Sequence, residues 1–402
     1  MQREILVNKI RNKYVSSLFN MAELLASQDI DFQFWVVTEK KYIWAPKWSF
    51  KNLFIIDIFN GREPILIDNT LLTLQNRQIG FRNTLLLDSN VVGHIIRHFQ
   101  CGMVSQDIQQ LLTQVAKLHG SCKRKIYDIN PAFYILEAFF KDVSKDKLID
   151  PVSVLVIINH LDNDLFLRNN ELKIAEEDKE ALFGRFRSIT PQDIALKIIE
   201  SICIKDNNPF IEAAKFNYFL LLKLCYIIKQ YSSQDKLSIL ERYINFLNDI
   251  GILSARELIL GIFFLNKFFM KFAGFYKQNK TKLKKALKNT SWDLLLLKIP
   301  ELTLQESRGF TANLVYPITF EKELFEFSKL FHLVAGIKLN GISNSIITVN
   351  FKENEILEYS KAHFEKMYSQ ENILHRQSKS KIKLRQDIDD EIKKLEKIVL
   401  KS

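Results

Sequence analysis

Glycine and proline are scarce in this 402-residue sequence, at 12 and 8. So few chain breakers favour long helices and well-filled cores over a loop-rich architecture. Cysteine is also rare. Cys101, Cys122, Cys203 and Cys225 form no CxxC pair and no metal-ligand spacing, which excludes a zinc cluster or a disulfide framework. They read as reduced, mostly buried thiols of a cytoplasmic protein. No G-x-x-x-x-G-K-S/T loop is present, so a P-loop NTPase is excluded. His94 and His98 are four apart, but no Glu stands beside His94 as an H-E-x-x-H site requires, and Ser89 has no Ser-His-Asp partners. No fixed-period repeat marks a solenoid.

Long uninterrupted apolar runs are missing as well. Arg3, Glu4, Lys9, Arg11 and Lys13 break up the first 18 residues, which do not read as a signal peptide. Lys223 interrupts Phe216 to Ile228, and Asn266, Lys267 and Lys271 interrupt Leu258 to Tyr276. Both read as buried helices, so no membrane partner is expected.

What is present is apolar bulk and positive charge. Hydrophobic residues make up 47%, Phe alone occurs 31 times, and the formal net charge is +11. Such a charge suits a polyanionic partner, most simply nucleic acid, with an anionic membrane as the rival. The basic residues concentrate between Lys267 and Lys288, where Lys277, Lys280, Lys282, Lys284, Lys285 and Lys288 occur without an intervening Asp or Glu. These lysines are the candidate phosphate contacts.

Along the chain, residues 1–27 fit a helix. Strands are expected at Phe32–Val37, Leu53–Ile58, Ile65–Ile67, Thr84–Leu87, Leu314–Ile318 and Ile346–Phe351. Pro317 marks the fifth as an edge strand or a strand end. Helices dominate from about 151 to 280, with start signals at Thr190-Pro191, Asn208-Pro209 and Ser254 with Glu257. The tail from Lys381 to Val399 is a charged helix. Its stripe of Leu384, Ile388, Ile392, Leu395 and Val399 suits docking onto the body or self-association as a short coiled coil.

Four acidic positions stand out. Asp88 ends the apolar run Thr84–Leu87 and is followed by Ser89, Asn90 and a helical pattern, which places it at the carboxyl end of a strand, where ligands of α/β sheets bind. It also reads as a helix cap. Glu137 lies on a helix dominated by Phe133, Ile135, Leu136, Phe139 and Phe140, so it must find either an exposed stripe or a cation. Asp293 stands three residues after Thr290, in the spacing of a capping box. Glu321 follows Thr319 at a further helix start.

In order and surroundings, Asp88-Ser89-Asn90, Glu137, Trp292-Asp293 and Thr319-Phe320-Glu321-Lys322 resemble the motifs of PIN-like domain nucleases. The resemblance covers roughly 83–140 and 285–350. It departs from the family in having Glu321 where Asp is usual, and in the length of chain between Glu137 and Asp293. It implies an α/β, three-layer domain with a central parallel sheet, interrupted by a large all-helical insertion. The implied division is an N-terminal α/β element (1–82), a first half-domain (83–145), the insertion (146–284), a second half-domain (285–351) and a helical tail (352–402).

The resemblance further implies an endoribonuclease using Mg²⁺ or Mn²⁺, hard cations that prefer oxygen ligands. Asp88, Glu137, Asp293 and Glu321 would be its ligands, with Asn90 orienting Asp88 or a water. RNA is implied over DNA, with a toxin-like or bacterial defence role and an antitoxin or regulatory protein as partner. The contrasting reading is a non-enzymatic, basic helical scaffold that binds nucleic acid or protein and uses its acids as caps.

Overall fold

The computed structural model describes residues 20, 23, 26–27, 31–68, 80–102, 105–122, 125–188, 190–203, 208–251, 256, 259–261, 279–306, 311–339, 342–349 and 381–400. Lys277, the Ser254–Glu257 signal and most of the helix expected over 1–27 lie outside them. The fold is mixed α/β with a sheet that contains parallel strands. Contacts divide the chain into two compact units. The first comprises Met1–Asp206, Leu297–Ser328 and His332–Thr348, and the second Asn207–Leu296, Lys329–Phe331 and Val349–Ser402. The helices from 146 to 203 thus group with the sheets, and the boundary falls later than the sequence reading drew it.

The strands, in chain order, are β1 (Phe32–Lys41), β2 (Phe54–Ile55), β3 (Arg62–Asp68), β4 (Gly80–Leu87), β5 (Tyr127–Ile129), β6 (Thr311–Thr319), β7 (Phe331–Leu339) and β8 (Ile342–Val349). They form two four-stranded sheets, ordered β3-β1-β7-β8 and β2-β6-β4-β5. In the first, β1 runs antiparallel to β3 and β7. The N-terminal strands are therefore completed by strands from the far end of the sequence, rather than forming an element of their own over 1–82. Asn60 and Gly61 make the turn into β3 with φ of 54° and 68°, held by Asp57, whose carboxylate accepts from the amides of Phe59 and Gly61.

Gly336 on β7 faces Trp35 on β1, and a Cβ there would be driven into the indole ring. Trp35 is fully buried and has nowhere to move. Gly336→Ala is expected to destabilise the protein by about 3 kcal/mol, the upper range for overpacking, as read from the urea midpoint. An unchanged midpoint would show that the two strands are not paired in this register.

The second sheet positions the candidate site. β4 is parallel to both β5 and β6, and β2 adds to β6 in antiparallel fashion. Leu85, Leu86 and Leu87 are all buried, as befits a strand covered on both faces. Pro317 is neither at an edge nor at a strand end; it lies inside β6, opposite Leu86. Its carbonyl accepts from Ile56, on the β2 side. Since the N and C=O of one residue point the same way in a strand, the ring nitrogen also faces the two-residue β2 and removes no bond to β4.

Helices follow the parallel strands. β4 leads into α1 (Ser89–Gln100) and then α2 (Gln106–Cys122), and β5 leads into α3 (Ala132–Phe140). A helical layer of α4 (Asp146–Asn159), α5 (Asn163–Asn169), α6 (Glu176–Phe186) and α7 (Pro191–Cys203) comes next. Ile135 and Ala138 of α3 share a buried cluster with Leu148, Val152 and Val156 of α4, Leu182 of α6, and Ile194, Ala195 and Ile199 of α7. The Thr190–Asp193 box is reciprocal, each backbone N–H donating to the other's side chain.

The second unit holds α8 (Pro209–Gln230), α9 (Lys236–Asp249) and the first part of α10 (Lys280–Gln305). After β6 comes the short α11 (Lys322–Ser328) of the first unit, and α12 (Lys381–Val399) belongs to the second. Ile388, Leu395 and Val399 of α12 are buried. Glu396 accepts from the Tyr218 hydroxyl (2.7 Å) and pairs with Lys284 (2.9 Å), while Lys229 donates to the Val399 carbonyl. The tail helix docks within its own unit. No helix among the described residues is long and apolar enough to cross a membrane. Cys225 is buried, but Cys101 is exposed, contrary to the expectation of mostly buried thiols.

Candidate functional site

The order β6-β4-β5 means that the chain leaves β4 towards β5 on one side and returns to β6 on the other. The carboxyl ends of β4 and β6 thus form a topological switch point, the crevice where open α/β sheets bind ligands. Asp88 follows the last residue of β4, and its amide donates to the Ile318 carbonyl of β6. Thr319 ends β6 and Glu321 precedes α11. The sheet therefore brings together residues that are 231 apart in sequence.

Asp88 occupies the N-cap position of α1 with extended backbone (φ −63°, ψ 153°), yet its carboxylate makes no capping hydrogen bond. It is buried, and its Oδ2 accepts from the Thr319 hydroxyl at 2.9 Å. Burial pushes its pKa above the ordinary 3.8, against the Thr319 hydroxyl, the Lys141 charge and the facing amides of Ser89 and Asn90, which pull it down. The position of a cap is kept without its usual bond, and the side chain turns to β6 instead.

Glu137 of α3 is buried, which settles the choice between an exposed stripe and a cation. Its Oε1 accepts from the Ser89 hydroxyl (2.9 Å) and from the Lys141 ammonium, while its Oε2 is buried with no hydrogen-bond partner. Burial first, then the Asp88 charge, raises its pKa, and Lys141 and Ser89 oppose that rise. The Ser89 oxygen is also 3.4 Å from Asp88 Oδ1, so the hydroxyl that donates its one proton to Glu137 stands between the two carboxylates.

Glu321 is exposed. Its Oε1 accepts from Asn90 Nδ2 at 3.2 Å, and its amide donates to Thr319 Oγ1 at 3.0 Å. Burial, Asp88 and Glu323 together raise its pKa. The Thr319 hydroxyl thus accepts from one element and donates to another. Each of the three acids has one oxygen held by a named donor: Asp88 by Thr319, Glu137 by Ser89 with Lys141, and Glu321 by Asn90. The second oxygen of each is left less committed. Among the described residues, no three His, Cys, Asp or Glu side chains stand close enough to enclose a metal ion.

Asp88, Asn90, Glu137 and Glu321 therefore belong to one network in the first unit. Asp293 lies in the second unit, in the middle of α10 and half-buried, not at a helix start. The true start is capped by Asn279, whose side chain accepts from the amides of Thr281 and Lys282. The Thr290-x-x-Asp293 spacing imitates a capping box inside a continuous helix.

The candidate lysines of α10 also lie in the second unit. Lys280, Lys282 and Lys285 are exposed, whereas Lys284 and Lys288 are half-buried. Lys284 is paired with Glu396, so the run has a countercharge that its local sequence does not contain.

Lys141 carries no motif of its own, yet its place in the site has a signal in the sequence. It stands four residues after Glu137, the spacing at which helical side chains meet. His94 packs its ring against Phe320, and His98 Nε2 bonds the Gln109 side chain. A separate cavity of about 260 Å³ lies past the end of β5, lined by residues including Ile129, Pro131, His160 and Arg185, and by none of the acids above.

No known protein family matches this chain, and no curated protein or solved structure is significantly similar to it.

Proposed function

We propose that the protein is a divalent-metal-dependent nuclease of PIN-like type, cleaving RNA at the Asp88–Glu137–Glu321 site, with the helices between the two halves as an insertion. The observation that supports this most is the orphaned Oε2 of buried Glu137 beside a second buried carboxylate. An unsatisfied buried carboxylate oxygen is costly unless a cation or water meets it. Two buried carboxyl groups on either side of one hydroxyl form a hard-oxygen donor set, which suits Mg²⁺ or Mn²⁺ over softer ions.

In this reading Asp88 and Glu137 hold the ion, and Glu321, exposed and able to change rotamer, completes its shell. Thr319, Ser89 and Asn90 fix the direction of each carboxylate. A bound Mg²⁺ or Mn²⁺ supplies polarisation of a phosphoryl oxygen and a water acidified towards neutral pH. The exposed lysines of α10 supply electrostatic attraction for a phosphate backbone.

The direct test is incubation of the full chain with labelled single-stranded RNA or DNA in Mg²⁺, Mn²⁺ or EDTA. Divalent-dependent cleavage of RNA is expected. Binding without cutting in any metal would favour the basic scaffold. Lys282→Gln with Lys285→Gln is expected to weaken RNA binding and to lower the slope of log affinity against log salt by about 1.4, at roughly 0.7 per single-strand phosphate contact. An unchanged slope would remove these lysines from the interface.

A further inference from the structure

We propose that Lys141 is a tethered competitor for the cation site, its ammonium holding Glu137 until a divalent ion displaces it. This rests on the reading of Asp88 and Glu137 as metal ligands. Lys141 is the C-cap residue of α3, one turn beyond Glu137, and its side chain folds back along the helix to meet Glu137 Oε1. The same ammonium is felt by Asp88. One flexible positive charge therefore serves two buried carboxylates, which is the electrostatic place of a metal ion.

The two partners differ in freedom. The Glu137 side chain is 2% exposed and that of Lys141 is 28% exposed. Glu137 is buried on α3, whereas Lys141 is partly exposed at the helix end, where a long flexible stem can carry its charged head towards water. Lys141 is thus the member that leaves. While in place, it offsets the repulsion between Asp88 and Glu137 and stabilises the metal-free fold. On departure it leaves Glu137 Oε1 held by the Ser89 hydroxyl alone, with a second lone pair open beside the orphaned Oε2. The cost of breaking that ion pair is subtracted from the affinity for the ion, so Lys141 sets how much free metal the site needs. A guanidinium in its place would grip the carboxylate through two parallel bonds and be harder to displace.

The experiment titrates Mn²⁺ into the full chain and follows the free ion by electron paramagnetic resonance, for the native protein, Lys141→Met, Lys141→Arg and Asp88→Asn. Melting in EDTA and in Mn²⁺ is recorded alongside. Lys141→Met is expected to bind Mn²⁺ about 10-fold more tightly, as one charge-assisted hydrogen bond no longer competes. It is also expected to melt lower than the native protein in EDTA and to gain more from Mn²⁺. Lys141→Arg is expected to bind more weakly than the native protein, a comparison that stands even if Lys141→Met does not fold without metal. Native-like or weaker binding by Lys141→Met, or native-like or tighter binding by Lys141→Arg, would overturn the competitor role while leaving the metal site intact. Absence of Mn²⁺ binding that depends on Asp88 would overturn both.

Discussion

Asp88→Asn is expected to lower divalent-dependent RNA cleavage about 1,000-fold or more, and to leave the metal-free protein at least as stable as the native one. The first effect follows from removing a formal negative charge from the proposed cation site, since electrostatic stabilisation is the main contribution of a metal-dependent hydrolytic centre. The second follows from the direction of the Asp88 pKa. Burial raises it above the ordinary 3.8. A carboxyl whose folded pKa is raised favours the fold in its protonated form. That contribution is full below about 3.8 and is lost as the pH rises through the folded value. At pH 8, above the ordinary carboxylate range, Asp88 therefore weighs against the metal-free fold, and the neutral amide removes that weight. The gap in melting temperature, Asp88→Asn minus native, is expected to be zero or positive at pH 8 in EDTA and to fall as the pH drops towards 4. Saturating Mn²⁺ reverses its sign, because only the native site binds. A variant that cuts RNA at the native rate would remove Asp88 from the chemistry. A variant much less stable than the native protein in EDTA would show that the carboxylate is a structural anchor.

Thr319→Val changes the shape of a buried side chain very little and removes the hydroxyl that joins β6 to Asp88. Thr319 is fully buried, and its oxygen both donates to Asp88 Oδ2 and accepts from the Glu321 amide. Without it, a buried carboxylate and a backbone N–H each lose a partner, at an expected cost of about 2–3 kcal/mol near pH 8. The Asp88 pKa then rises further, so the penalty shrinks in acid, where the carboxyl is neutral in both proteins. Misorientation of the ligand is expected to lower Mn²⁺ affinity about 10- to 100-fold, the usual effect of losing a donor behind a metal ligand. Thr319→Ser keeps the hydroxyl and should recover affinity. Equal affinities in Thr319→Val and the native protein would show that Asp88 is oriented by something else.

Much of the hydrogen-bonded network around Asp88 was legible before its geometry. The run Thr84–Leu87 stopping at Asp88-Ser89-Asn90 announces a strand passing into a helix, because apolar continuity and cap-forming residues are local signals. Thr319 followed by a helix start is legible for the same reason. Glu137 amid Phe133, Leu136 and Phe140 declares that it needs a partner, but not which one. Lys141 was readable from helical spacing alone. Asp293 shows how a local signal misleads: Thr290 and Asp293 have the spacing of a cap, while the helix around them had already begun at Lys280.

The fold was legible in part. β4 and β6 carry unbroken apolar runs, but β7 does not announce itself. His332, Gly336 and Lys338 interrupt its pattern, and Gly336 is required there by the indole of Trp35, some three hundred residues earlier in the chain. β5 is only three residues long, too short for periodicity to register.

The amino-acid order alone determined which side chains bear reactive groups, which strongly patterned stretches become strands or helices, and that Asp88 and Thr319 stand at strand ends. Those properties depend on neighbours a few residues away. The pairing of β4 with β6 decided that Thr319 donates to Asp88, and the packing of α3 decided that Glu137 is stripped of water and shares Ser89 with it. Burial and repulsion between charges depend on distance in space, which the order of residues does not fix until the sheet has closed.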